Sequence, residues 1–187
     1  MRASLLLLAA PLIFAAPAFA QNPQSAQNAP SANDQQLSNT DQQFLNSVAQ
    51  ANQGEIEACL LAENKAPAPT VKAFCRLMIF DHTEMENLMA LLANQHGMSL
   101  PNGIGQKNQQ QMSQMEQQNG EAFDSAFMQA QVQNHQNVIK EFQAEVSNTQ
   151  AGDVRRLALT ALPILRQHLA LAEIIQQSLH SGQNAAD

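Results

Sequence analysis

The chain has 187 residues, with nine basic and sixteen acidic side chains and a formal charge of −7. That balance excludes the basic surface on which phosphate binding depends, so no nucleic-acid partner is expected. Tryptophan and tyrosine are absent, which leaves a core of Leu, Ile, Val, Ala, Met and Phe.

The first twenty residues, MRASLLLLAAPLIFAAPAFA, carry one basic residue, Arg2, then an alanine-rich apolar run that closes on Ala18-Phe19-Ala20. This is the pattern of a secretory signal peptide with an A-x-A cleavage site, and it predicts export to the periplasm. The residue after Ala20 is Gln21, not cysteine, which argues against a lipoprotein anchor. No later segment offers about 18 uninterrupted apolar residues, so no transmembrane anchor is expected after cleavage. The mature chain would hold 167 residues (187 − 20). Residues 21–38, QNPQSAQNAPSANDQQLS, read as a disordered linker and 181–187, SGQNAAD, as a flexible tail. Residues 39–180 are long enough for one domain with one core.

From Thr40 to Leu179 apolar residues recur at spacings of three and four, and no segment alternates with period two. Thr40 and Gln43 form a candidate capping box for a first helix to about Lys65. APAPT breaks the chain, and a second helix follows from Thr70 to His96, stopped by Gly97. GMSLPNGIGQ reads as a loop, and NQQQMSQMEQQ as a short polar helical segment in the connection. The third long helix spans Glu121 to about Asn148, and the fourth Asp153 to His180. Four matched helices with tight links at 66–69 and 149–152 predict an all-α, antiparallel up-down-up-down four-helix bundle.

The inward seams contain Phe44, Val48, Ala51, Glu55, Cys59 and Ala62 on the first helix and Val71, Cys75, Met78, His82, Met85, Met89 and Leu92 on the second. The third contributes Met128, Val132, His135, Ile139, Phe142 and Val146, and the fourth Val154, Ala158, Ala161, Leu165, His168, Ala172, Ile175 and Leu179. Each seam holds one ionisable residue apart from cysteine: Glu55, His82, His135 or His168. Glu55 and His82 lie twelve and fifteen residues from the turn near 67; His135 and His168 lie sixteen and seventeen from the turn near 151. If both turns share one end, five residues at about 1.5 Å each spread the four groups over about 7.5 Å, one layer near mid-bundle.

The segments GEIEACLLAENKA, VKAFCRLMIFDH, GMSLP, FDSAFMQAQVQNHQNVIKEF and ALPILRQHLALAEII resemble, in order and spacing, a bacterial exported family, domain of unknown function 4142, placed among ferritin-like bundles. The resemblance covers nearly all of residues 41–178. It implies the fold, export and a metal site inherited from ferritin-like ancestry, but no activity. The Glu-x-x-His pattern of di-iron bundles is missing, since Ile79, Val132 and Leu165 stand three residues before the histidines.

Three imidazoles and one carboxylate, Glu55, His82, His135 and His168, suit a single zinc, copper or iron ion. The alternative is a buried polar layer in which the imidazoles bond to Glu55, to backbone and to one another. Met78, Met85, Met89 and Met128 read either as adaptable core filler or as thioether ligands for Cu(I). Asp81 and Glu84 point off the seam and read as solvated, with Asp81 in reach of a neighbouring helix. Cys59 and Cys75 are each eight residues from the turn near 67; in an oxidising compartment that symmetry predicts a disulfide, the alternative being two reduced buried thiols. Pro163 removes one backbone bond within the fourth helix. No nucleophile–base pair, phosphate loop or Cys-x-x-Cys motif appears, so the reading is a binding or structural module with a mononuclear metal site. The runner-up is a metal-dependent redox enzyme of the cell envelope.

Overall fold

The computed structural model describes residues 37–184, with side chains to Ser181. The expected signal peptide, most of the linker and the last three residues lie outside the described residues. All the described residues belong to one compact unit, Asn33–Asp187.

Ser38 opens the first helix. Its hydroxyl accepts from the Asp41 backbone N–H while the Asp41 carboxylate accepts from the Ser38 backbone, a reciprocal capping box. The cap is thus Ser38 with Asp41, not Thr40 with Gln43, and Leu37 is buried in the core beside it. The described residues form five helices and no strand: α1 Asn39–Lys65, α2 Pro69–Gln95, α3 Gly105–Glu116, α4 Gly120–Asn148 and α5 Gly152–Asn184. Pro69 begins α2, where its missing N–H is no loss. Gly97 (φ 63°) ends it in the left-handed conformation that glycine tolerates. α5 runs through Pro163, which is on its exposed face, and continues past His180. By length and composition α5 is apolar enough to cross a membrane. In the fold its Val154, Ala158, Ala161, Leu165 and Ala172 are buried.

Pairings between helices fix their directions. Asn52 bonds to His82 and Glu63 to Arg76, so α1 and α2 are antiparallel. Asp81 bonds to His168 and His96 to Asp153, so α2 and α5 are antiparallel. Asp41 meets Glu145 and Glu55 meets Gln131, so α1 and α4 are antiparallel too. The long helices therefore run up, down, down, up, which corrects the up-down-up-down expectation. The turn 66–68 lies beside Asp124 at the start of α4, through the bond from the Ala68 N–H. The turn 149–151 lies with Leu37, Phe44 and Leu92 at the opposite end. Because α2 and α4 are parallel, residues 96–119 must return along the bundle, and α3 is the helical part of that crossover. It packs on α1 and touches α4.

Two apolar clusters fill the ends. One gathers Phe44, Leu45, Met89, Phe142 and Val154; the other Cys59, Val71, Cys75, Met78, Phe123, Phe127 and Met128. The expected Cys59–Cys75 bridge is absent: both are free and fully buried. The side chains meet as a thiol–thiol hydrogen bond instead, and that bond, with burial, pushes the Cys59 thiol far above its ordinary pKa. Between the two clusters lies a polar layer.

Candidate metal centre

Each histidine sits at the middle of its helix: His82 is fourteenth of 27 residues in α2, His135 sixteenth of 29 in α4 and His168 seventeenth of 33 in α5. Mid-helix residues share one height whichever way a helix runs, so the reversed direction of α4 leaves the layer intact. The three side chains are buried, at 8%, 1% and 1% exposure. Their ring centroids lie 5.4 to 6.2 Å apart, and one ring nitrogen from each lies within 4.8 Å of the others.

The outer nitrogens set the tautomers. His82 Nδ1 bonds at 2.8 Å to Asn52 Oδ1, whose amide is oriented by its own Nδ2 donating to the His82 carbonyl at 2.8 Å. Nδ1 is therefore the protonated nitrogen, and Nε2 carries the lone pair. His135 Nδ1 donates to the Gln131 carbonyl at 2.9 Å, one helical turn back. His168 Nε2 donates to Asp81 Oδ2 at 2.9 Å. The remaining atoms, His82 Nε2, His135 Nε2 and His168 Nδ1, are buried and have no hydrogen-bond partner. Three lone pairs thus converge on one buried volume.

Electrostatics favour the neutral form of His82 and His168. Burial pushes His82 down to about 3, helped by the neighbouring His168 and His135. Burial also lowers His168, outweighing the upward pull of Asp81. Neutral imidazole is the form that ligates metals.

Glu55 faces the same region but is not one of the converging groups. Gln131 Nε2 donates to its Oε2 at 2.7 Å and Asn134 Nδ2 to its Oε1 at 3.2 Å. Of the methionines, Met78 and Met128 are buried in one apolar cluster and Met89 in the other, while Met85 lines the cavity beside the triad. Glu84 is exposed. Sequence reasoning missed Asn52 and Gln131 as partners; Asp81, read as solvated but in reach of a neighbouring helix, does reach His168 of α5. The available signals were a polar residue four positions before His135 and polar Asn52 beside a seam. A seam drawn one residue wider on α1 and α4 would have included Asn52 and Gln131.

A family model described as a domain of unknown function (DUF4142) matches residues 26–175. The chain belongs to that family. No curated protein matches it. Among solved structures it is similar to CopM in the Cu(II)-bound form, with a TM-score of 0.61 and 18% identity over 74% of this chain and 96% of CopM. It is also similar to rv2844, a conserved hypothetical protein from Mycobacterium tuberculosis, with a TM-score of 0.59 and 16% identity over 74% of this chain and 91% of that one. At these identities the likeness concerns the fold, which this DUF4142 member shares with both.

Proposed function

We propose that this protein is an exported, periplasmic metal-binding module of ferritin-like architecture that holds one transition-metal ion on His82 Nε2, His135 Nε2 and His168 Nδ1. The observation that carries the reading is the set of three buried, unpartnered nitrogens. A polar layer kept only for packing would pair those atoms with one another or with Glu55, whereas here each ring bonds outward and turns its lone pair inward. Outward bonds to Asn52, the Gln131 carbonyl and Asp81 are the support that metal-ligating histidines receive, fixing tautomer and ring orientation. The single long crossover matches ferritin-like connectivity. Nitrogen-only donors suit zinc, copper or iron, and the Cu(II)-bound state named for CopM puts copper first.

The test is elemental analysis and calorimetric titration of untagged protein with Cu(II) and Zn(II). One ion per chain is expected, falling at least about tenfold in affinity in His82→Leu, because leucine fits the stripe but offers no lone pair. Equal metal content in parent and variant would overturn the proposal.

A further inference from the structure

The three imidazoles, Glu55 and Asp81 line a cavity of about 260 Å³ walled largely by α1, α3 and α4, with α2 and α5 at the triad. This volume far exceeds the roughly 30 Å³ of one water and lies just under the usual small-ligand range, which begins near about 300 Å³. Its wall is mixed, with Met85, Met112 and Phe127 among the apolar residues and Gln111 and Asn134 among the amides.

Both carboxylates nearest the triad are already committed. Asp81 receives the His168 Nε2–H at 2.9 Å. Glu55 receives one amide on each oxygen, and the second donor, Asn134, accepts in turn from Gln111 of α3 at 3.4 Å. This chain of amides ties Glu55 to α4 and to the crossover helix. The Glu55 carboxylate is not among the donor atoms that lie within 4.8 Å of one another, so to join the triad its side chain would have to move, against the two amide bonds that hold it where it is.

Resting on the proposed metal site, we infer that the ion has three protein ligands and keeps a further coordination position open to this cavity, where a small monodentate Lewis base of a few heavy atoms binds. Three protein donors with one position left free is the arrangement of metal sites that exchange ligands, whereas closed structural sites use four. Glu55 lines the chamber without coordinating, and its negative charge weakens the binding of anionic ligands.

The experiment is an azide titration of the Cu(II)-loaded parent and of Glu55→Gln, after copper content has been measured for each. One azide per copper is expected, read as a saturable ligand-to-metal charge-transfer band while the copper stays bound. Glu55→Gln should still load one copper per chain, with an affinity lowered only by the lost charge, and should bind azide more tightly, because a like charge has been removed. A copper-loaded parent whose spectrum does not respond to azide would overturn the open position. So would a Glu55→Gln variant that no longer takes up one copper per chain, or whose Cu(II) electron paramagnetic resonance spectrum differs from the parent's, since Glu55 would then be a ligand. A parent that binds no copper would refute the metal site itself, a distinct result read before azide is added.

Discussion

At the residue scale the outer partners of the histidines are as informative as the histidines themselves. Asp81→Asn would leave His168 free to adopt the other tautomer, with its proton on Nδ1, the nitrogen aimed at the centre. Metal affinity should drop by roughly 10–100-fold in that variant, the usual effect of losing a ligand's supporting partner, as measured by competition with a chelator. Asn52→Ala should act similarly through His82, and it also frees the His82 carbonyl. The neutral rings carry a pH signature. His82 titrates at about 3 in the folded protein against 6.5 for an ordinary histidine, so between those values the unfolded chain binds a proton that the native state refuses. Stability of the metal-free protein should therefore fall as pH drops from about 6.5 toward 3. Denaturant melts across that range check the sign, and His82→Leu should flatten part of the slope.

Helix ends carry a second, opposite pH dependence. Glu145 near the end of α4 is buried at 5% exposure and meets Asp41 of the α1 cap. Burial pushes its carboxyl up to about 7, assisted by its hydrogen bond to Asp41. Burial would raise Asp41 as well, but hydrogen bonds from Thr149, Ser38 and Glu145 hold it below the usual range. Glu145 is thus the protonated donor and Asp41 the acceptor. Since the folded pKa of Glu145 lies above its ordinary 4.5, its contribution is full below that value and is lost as pH rises through about 7. Glu145→Gln keeps an N–H donor without the titration, so its thermal midpoint should vary less between pH 6 and 8 than the parent's. The His96–Asp153 contact at 2.6 Å joins α2 to α5 at the same end. Helix limits, the tight links and the central stripe positions were legible in the sequence, because they follow from local periodicity and from Pro and Gly. The cap at Ser38 was not, since Ser38 and Thr40 are both acceptable by residue type and only the chain's path chooses between them.

For the whole molecule, the crossover is what shapes the cavity. α1 and α4 contact each other sparsely, and α3, which buries no residue of its own, covers the region between them. Its seat depends on close approach: a Cβ on Gly54 would lie 3.0 Å from the Asn108 side chain, which donates to the carbonyls of Gln50 and Ile104. Gly54→Ala should therefore unseat α3, raising amide exchange over residues 105–116 while leaving exchange in the buried middles of α2 and α5 unchanged. Uniform loss of protection would mean that α3 is integral to the core.

The division between sequence and tertiary structure follows from the range of the forces involved. The sequence by itself determined five helical segments, their limits to within a few residues, and the placing of His82, His135 and His168 at mid-helix on apolar stripes, because helical periodicity acts within about four residues. It also set Cys59 and Cys75 opposite each other across the first turn. Only the tertiary structure decided the direction of α4, because a 24-residue connection, residues 96–119, is compatible with either a return or a crossover. Only it decided that the thiols meet without a disulfide, that Glu55 pairs with amides of α4, and that Asn52, Gln131 and Asp81 aim three lone pairs inward. Apart from the His135 bond to the Gln131 carbonyl one turn back and the thiol contact across the first turn, those choices depend on ångström-scale contacts between residues 30 to 87 positions apart, which no local pattern encodes.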